Sequence, residues 1–222
     1  MKKILVLVAI LAIGLGSVNA QENLRWGVTA GINNSKYSND FLNSRTGFHA
    51  GVKAELALPQ VAEGVYLEFG GLLTLKGAKW GYGSLLDIKF NPYYLEIPVH
   101  IGYKYAINEN FAIFGNVGPY AAIGLFGKIK GKVDLTGISG NIDWGGIDWG
   151  EIDPSEIKGE ESENIFGSDG MKRFDLGLGL KAGIEFNKKY QVTIGYDWGF
   201  IETIDNSDLK NRNLMLSLVY MF

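Results

Sequence analysis

Hydrophobic and polar residues alternate along eight segments of this chain, and the last alternating segment, 213–222, runs to the final residue. In an extended strand, such alternation places the two sets of side chains on opposite faces of a sheet. One face of this last segment carries Leu214, Leu216, Leu218, Tyr220 and Phe222. An apolar stripe that continues to the last residue indicates that the carboxyl end is held in a sheet, as in a barrel that closes on itself.

The same alternation predicts seven further strands. Together the eight predicted strands are 24–33, 47–58, 65–76, 93–105, 111–126, 173–186, 191–200 and 213–222. Each reaches the roughly ten residues that a tilted membrane-spanning strand requires. The fifth strand is apolar on both faces, so its register is the least defined.

The connections between these strands alternate in length. The short ones are 59–64, 107–110 and 187–189, and the long ones are 35–45, 77–87, 128–170 and 202–212. All short turns therefore fall on one rim and all long loops on the other, as in outer-membrane barrels with short periplasmic turns and long extracellular loops. We predict an all-β fold, an eight-stranded antiparallel up-and-down transmembrane β-barrel with both chain ends on the short-turn rim.

A soluble barrel of the lipocalin type would also alternate, but its apolar face would line a ligand cavity and its polar face would meet water. Here the opposite arrangement is favoured, because the apolar face carries almost no charge and has aromatic residues near both ends, as a lipid-facing surface does. The polar face carries equal numbers of basic and acidic residues, which predicts a paired charge network inside a closed lumen. These residues are Arg25, Lys53, Glu55, Glu68, Lys76, Glu96, Lys104, Arg173, Asp175, Lys181, Glu185 and Asp197.

The first twenty residues have the layout of a cleaved secretory signal. A basic start, Met1 to Lys3, precedes an apolar run from Ile4 to Leu15 that is too short to span a bilayer, and small residues follow before Gln21. We predict a signal peptide at 1–20 and a barrel domain at 21–222; an N-terminal anchor helix is the alternative.

Composition narrows the remaining classes. The chain has no cysteine, which excludes an N-terminal lipid anchor and a disulfide-built domain, and its net charge of −3 does not favour nucleic acid. Thirty-one glycines and 13% aromatic residues fit packed strands better than helices.

An eight-stranded barrel has an interior that side chains can just fill, whereas water-filled porins use 16 to 18 strands. Because Tyr66, Tyr94 and Tyr120 also occupy inward positions, we expect a filled lumen and a structural or surface-recognition scaffold. A narrow channel for ions or small solutes is the alternative, and a lipid-modifying enzyme is a further one. The only histidines, His49 and His100, are predicted to point inward, and no nucleophile elbow or His-x-x-x-His motif is present. We therefore predict no catalytic residue, cofactor or metal.

The loop 128–170 carries a five-residue repeat, Ile-Asp-Trp-Gly-Gly from 142, Ile-Asp-Trp-Gly-Glu from 147 and Ile-Asp-Pro-Ser-Glu from 152. Exposed tryptophans usually mark an interaction surface. The candidate recognition residues are Asp143, Trp144, Asp148, Trp149 and Asp153. As a recognition element, the loop would bind a surface protein, a glycan or a divalent cation, although the five-residue spacing matches no EF-hand pattern. A hairpin extension whose apolar side packs on its neighbours is the alternative.

The chain resembles the outer-membrane β-barrel family of Bacteroidetes, often called porin-family or PorT-like proteins. The resemblance rests on the segment Tyr-Tyr-Leu-Glu-Ile-Pro-Val-His-Ile-Gly-Tyr at 93–103, the glycine-rich stretch 175–183, the signal before Gln21 and the aromatic C-terminus. It implies an integral protein of the outer membrane of a Gram-negative bacterium. It also implies insertion by the barrel assembly machinery, which is expected to read Tyr220 and Phe222. It implies no transport substrate, and no motif extends the role of PorT in type IX secretion to this chain. A closed barrel has no unpaired edge, so a monomer is expected.

Overall fold

The computed structural model describes residues 23–38, 42–82, 86–133, 161–166, 171–204 and 207–222. These residues form ten strands, and all of the pairings between them are antiparallel. The strands are β1 (Leu24–Tyr37), β2 (Asn43–Ala57), β3 (Val65–Leu75), β4 (Ala78–Tyr82), β5 (Leu86–Asn108), β6 (Phe111–Val133), β7 (Glu161–Asn164), β8 (Phe174–Phe186), β9 (Tyr190–Glu202) and β10 (Lys210–Met221). The predicted signal peptide, 1–20, lies outside the described residues. In the described part of the chain, no helix is long and apolar enough to cross a membrane.

The eight long strands form a closed ring in the order β1, β2, β3, β5, β6, β8, β9, β10 and back to β1. The closure is the pairing of the first strand with the last, in which Val28 lies opposite Tyr220 and Ile32 opposite Leu216. At its end the Phe222 amide donates to the Trp26 carbonyl at 2.8 Å. The predicted eight-stranded antiparallel barrel is confirmed.

At the rim opposite the short turns, the strands are longer than predicted. The β5–β6 hairpin has 23 residues in each strand, so parts of the predicted loops 77–87 and 128–170 are β-structure. The short strands β4 and β7 pair with the flanks of this hairpin beyond the ends of β3 and β8. Backbone pairing thus continues beyond the lipid-facing alternation from which the strand ends were predicted.

A β-bulge at Leu125 lies near the end of the fifth predicted strand. Tyr93 pairs with Phe126 but Tyr94 pairs with Gly124, so Leu125 has no opposite residue on β5. Leu125 and Phe126 are both exposed, while Gly124 and Gly127 are buried. The extra residue therefore exchanges the two faces of β6 beyond this point.

The two faces of the barrel differ as the alternation predicts. Outward residues such as Leu218, Ile194 and Val52 are 51–66% exposed, although they are apolar. Aromatic side chains form two groups on this outward surface. The group near the short-turn rim contains Tyr190, Tyr220 and Phe222, with successive ring centroids 5.4 Å apart. The group near the long-loop rim contains Phe48, Tyr93 and Phe126.

The lipid-facing surface makes a testable prediction. Leu216 lies on this face, four residues before Tyr220 of the aromatic group near the short-turn rim. A lysine there, Leu216→Lys, should lower the free energy of unfolding by about 2–4 kcal/mol because its charge would lie near the bilayer midplane. Urea unfolding in lipid vesicles measures this effect. Val61→Lys, in an exposed turn, is the control and should change the free energy by less than about 0.5 kcal/mol. Equal effects of the two changes would contradict the lipid-facing assignment.

Candidate functional site

The lumen toward the short-turn rim is crossed by a charge cluster that joins four strands. Lys104 of β5 lies with its Nζ 2.8 Å from Glu55 of β2 and 2.7 Å from Glu185 of β8. Arg25 of β1 reaches Glu185 at 3.2 Å and also donates to the Lys188 carbonyl. The two carboxylates are buried, and each is paired with a cation from another strand. This cluster ties opposite walls of the barrel together.

Glu68 of β3 is the centre of a second cluster, in the middle of the lumen. Its carboxylate accepts from Lys53 at 2.6 Å, from Lys181 at 2.9 Å and from Asn116 at 3.0 Å. Lys53 also lies 3.1 Å from Glu55, which connects this cluster to the first. A buried ion pair is favourable only when its remaining hydrogen-bonding groups are also satisfied. The three donors meet this condition for Glu68.

Two uncharged side chains that the sequence analysis did not single out complete these clusters. Gln191 donates through Nε2 to Glu55 and to Glu185, both at 2.8 Å, and accepts from Lys53 at 3.0 Å. Asn116 donates to the Tyr66 hydroxyl at 3.1 Å as well as to Glu68. Gln191 stands on the polar side of its predicted strand, so the alternation itself was a signal for its position. The alternation carried no such signal for Asn116, whose strand is apolar on both faces.

Toward the long-loop rim, Lys76 is fully buried between acids and aromatic rings. Its Nζ lies 2.7 Å from Glu96 and 3.6 Å from Asp175, and 4.5 Å from the centroid of the Tyr120 ring. The Tyr120 hydroxyl in turn donates to Asp175 at 3.2 Å. An ammonium over an aromatic face is stabilised by the ring quadrupole, so aromatic residues share in neutralising this cation.

Asp197 and His100 both approach the backbone of β8 at Gly179. A Cβ added at Gly179 would lie 2.9 Å from Asp197 Oδ1 and 2.8 Å from His100 Nε2. His100 also lies with Nδ1 2.9 Å from Asn116 Oδ1. The glycine therefore makes the room in which two buried polar side chains fit inside a narrow barrel.

Arg173 is the one predicted lumen residue that the structure places elsewhere. It is exposed and precedes β8, where its guanidinium donates to the carbonyls of Gly124, Leu125 and Phe166 at 3.0–3.3 Å. The prediction was wrong because regular pairing of β8 begins only at Phe174, so the inward alternation does not extend to Arg173.

The structure brings a serine to His49, which the sequence alone did not. His49 Nε2 lies 2.9 Å from Ser217 Oγ, and both side chains are buried. A serine–histidine pair is the basis of some hydrolases, but a nucleophile must also be reachable by substrate. The cavity next to this pair has a volume of only about 20 Å³, which is room for roughly one water molecule. The pair therefore serves packing and hydrogen bonding in the lumen.

A hydrophobic cluster closes the lumen at the long-loop rim. Its members are Tyr37, Ala78, Tyr94, Tyr120, Ala122, Ile165, Phe166 and Met171. Ile165 and Phe166 directly follow β7, so the stem of the long loop supplies part of this cap. The Phe166 ring lies 5.7 Å from the Tyr94 ring in an edge-to-face contact, and a Cβ added at Gly124 would overlap it. Arg173 holds the cap in place, with its guanidinium 5.1 Å from the Phe166 ring.

The other end of the lumen is open. A cavity of about 540 Å³ at the short-turn rim ends at the cluster of Arg25, Glu55, Lys104 and Glu185. Tyr220 and Phe222, the predicted assembly signal, lie on the outward surface at this same rim. The described residues hold no group of three or more His, Asp and Glu side chains arranged to bind a metal ion. The predicted recognition residues from Asp143 to Asp153 lie outside the described residues.

Comparisons with known proteins agree with a barrel. A family profile described as "Outer membrane protein beta-barrel domain" matches residues 19–205. No curated protein sequence matches significantly. The fold is similar to that of the attachment invasion locus protein Ail of Yersinia pestis, at 18% identity over 89% of this chain and 98% of that one, with a TM-score of 0.41. It is also similar to neisserial surface protein A, at 14% identity over 89% and 97% and a TM-score of 0.44. A third similar structure is OprG of Pseudomonas aeruginosa, at 16% identity over 89% and 90% and a TM-score of 0.38.

The cluster at Glu68 makes a prediction about stability. Glu68→Gln keeps the size of the side chain but leaves Lys181 without its carboxylate, so the free energy of unfolding should fall by about 3 kcal/mol. The double change Glu68→Gln with Lys181→Met should recover part of this loss. Urea unfolding followed by tryptophan fluorescence gives both values. Glu63→Gln, at an exposed turn position, is the control, and a Glu68→Gln barrel as stable as this control would refute the role of the cluster.

Proposed function

This chain belongs to the outer membrane protein β-barrel family, and from that premise we propose that it is a sealed scaffold that presents its external loops to partners. It is an integral outer-membrane protein of a Gram-negative bacterium. The observation that carries the proposal is the filling of the lumen by paired side chains. A protein of this kind acts through the surface outside the membrane and not through a pore.

Three successive layers support a sealed lumen. The cap with Phe166 closes the external end, the group around Lys76 follows it, and the clusters around Glu68 and Lys104 cross the lumen from there to the cavity at the short-turn rim. Removing one layer would leave the next in place. The ion pairs are then a means of packing a barrel too narrow for a water-filled channel.

A narrow conduit for ions or small solutes is the second candidate. The cavity of about 540 Å³ at the periplasmic end favours it, because it brings water to Arg25 and Lys104. A conduit additionally requires a continuous water path through the layers beyond, where the cavity beside His49 has room for only about one water molecule. The filled lumen supports the scaffold more strongly.

Catalysis has less support. The matching family profile describes a barrel domain and no enzymatic activity. Lipid-modifying barrels need a nucleophile that a lipid can approach, whereas Ser217 and His49 are buried in the lumen. We infer that the protein is not an enzyme.

The third external loop is the proposed recognition element. The sequence repeat supports this assignment. In it Trp144 and Trp149 follow Asp143 and Asp148, and the third unit carries Asp153. Tryptophan beside carboxylate suits stacking on sugar rings together with hydrogen bonds to hydroxyl groups, and it also suits a protein surface. A glycan or a surface protein is the proposed partner class.

The remaining proposals concern export, insertion into the outer membrane, oligomeric state and family group. We propose that 1–20 is a signal peptide, that the assembly machinery recognises Tyr220 and Phe222, and that the monomer is the working form. Membership of the Bacteroidetes PorT-like group is supported by the Leu-Glu-Ile-Pro segment that begins at Leu95. No motif in the chain supports a role in type IX secretion.

Electrical recording tests the sealed lumen. The refolded mature protein should give no channel steps in a planar bilayer, with an open porin as the positive control. Deleting 136–158 removes the loop but keeps β7, Ile165 and Phe166, so this variant should also be silent. Phe166→Ala removes one aromatic side chain of the cap and should remain silent because the inner layers persist. Steady current from the unaltered protein would establish the conduit in place of the scaffold.

Glycan-array and cell-surface binding by the protein in nanodiscs tests the loop. The double change Trp144→Ala with Trp149→Ala should reduce binding at least about tenfold, since tryptophans that become buried in an interface are frequent hot spots. A variant with the repeat scrambled at constant composition separates the motif from its composition. Binding that survives both changes would remove the loop as the recognition element.

A further inference from the structure

One buried carboxylate of the lumen has no basic partner. Asp197 of β9 is 2% exposed, and no described lysine or arginine lies within ion-pair distance of it. The other buried lumen carboxylates each have such a partner; they are Glu55, Glu68, Glu96, Asp175 and Glu185. The position of Arg173 outside the lumen leaves the predicted charge set one basic residue short. Because an unpaired buried charge is strongly unfavourable, Asp197 requires a positive charge from another source.

His100 of β5 faces the same space as Asp197. A Cβ at Gly179 would lie 2.8 Å from His100 Nε2 and 2.9 Å from Asp197 Oδ1, so these two atoms cannot be farther apart than the sum of the two distances. His100 Nε2 and Asp197 Oδ2 are buried and have no hydrogen-bonding partner among the described residues. The two side chains are therefore not hydrogen-bonded directly, and their separation allows a single water molecule to bond to both. We call His100 and Asp197 the lumen pair.

Hydrogen bonds on the other side of the imidazole ring fix which nitrogen carries a hydrogen. Asn116 Nδ2 donates to the Glu68 carboxylate at 3.0 Å, which sets the orientation of the amide group. Asn116 Oδ1 must then accept from His100 Nδ1, at 2.9 Å. In a neutral His100 ring, Nε2 is consequently an acceptor, and it faces a second acceptor, the Asp197 carboxylate. A bridging water alone satisfies both acceptors but leaves the carboxylate charge, whereas a proton also neutralises it.

Neighbouring charged groups do not take the place of this proton. Lys181 of β8 and Lys76, which follows β3, both act on Asp197. Lys181 is bound to Glu68 at 2.9 Å, however, and Lys76 is bound to Glu96 at 2.7 Å. These two carboxylates also act on the histidine of the lumen pair and add negative charge there. On the remaining side, β10 places the uncharged Asn213 opposite Asp197. The surroundings of the lumen pair therefore favour the binding of a positive charge.

We propose that His100 and Asp197, bridged by one water molecule, hold a single proton that supplies the missing positive charge in the lumen. The proton belongs to the pair as a unit, since the two side chains titrate together. Above about pH 7 the unfolded chain holds no proton on these side chains, because free aspartate and histidine have largely lost theirs. The folded state then binds one proton more than the unfolded state, so stability falls as the pH rises, until the pair releases its proton.

The lumen pair thus makes the barrel sensitive to alkaline pH. This property goes beyond the proposed recognition function, because it depends on the lumen and on none of the residues 136–158. Deleting that loop segment should leave the pH dependence unchanged, even where recognition is lost.

Urea unfolding of the refolded mature protein in lipid vesicles, at pH 7 and at pH 9, tests the lumen pair. The unfolding equilibrium constant should rise at least about fivefold between these conditions, since the limit for one proton is tenfold per pH unit. Asp197→Asn keeps the size of the side chain and donates its own hydrogen to the bridging water, so this rise should disappear. His49→Gln is the control and should keep the rise, because His49 meets the Ser217 hydroxyl at 2.9 Å, which can donate or accept. An equal rise in the Asp197→Asn variant and the unaltered protein would overturn the proposal, as would its loss in the control.

Nitrogen-15 imidazole and carbon-13 carboxyl NMR of the unaltered protein in nanodiscs give a readout that needs no stable variant at Asp197. The His49→Gln spectrum assigns the two histidines. At about pH 7.5 the proton should be found on His100 Nε2 or on the Asp197 carboxyl, whereas free side chains of both kinds would be mostly unprotonated. A neutral His100 beside an ionised Asp197 would refute the shared proton. Stability that also rose with sodium chloride but not with choline chloride would then assign the site to a small inorganic cation.

Discussion

The structure depends on the pairing of β1 with β10, because a bilayer core offers no water to satisfy an open sheet edge. This pairing joins the first and last strands of the chain and leaves no unpaired edge among the long strands. Once the ring is closed with eight strands, its inner diameter is fixed. The chemistry of the lumen, the cap and the outward surface then follows from which side chains face each way.

A closed and narrow lumen explains why so many charges are buried in a protein of modest net charge. Glu68 alone accepts from Lys53, Lys181 and Asn116, and the neighbouring clusters are built in the same way. A single unmatched ion there would be strongly unfavourable, so each charge constrains its partners. Sealing and stability are consequently properties of the same contacts, and a variant that opens the lumen also weakens the barrel.

Most of the barrel could be predicted from the sequence because strand alternation has a strict period of two. Glu68 and Lys181 could be placed inward for this reason, although they lie far apart in the chain. The rest depends on contacts without such a period. The cap residue Phe166 follows a loop, Arg173 precedes the regular part of its strand, and the contact of His49 with Ser217 crosses an intervening strand. None of these has a local pattern, and the hairpin extension lies beyond a bulge that reverses the pattern.

The bulge at Leu125 also has a consequence for how such a protein can diverge. One inserted residue decides which residues of β6 beyond Leu125 face outward and which face the mouth of the barrel. An insertion or deletion of a single codon at this rim would exchange Lys128 with its buried neighbour Gly127 and leave the spanning part of the strand unchanged. The external surface can therefore acquire a different character in one mutational step, independently of the membrane scaffold beneath it.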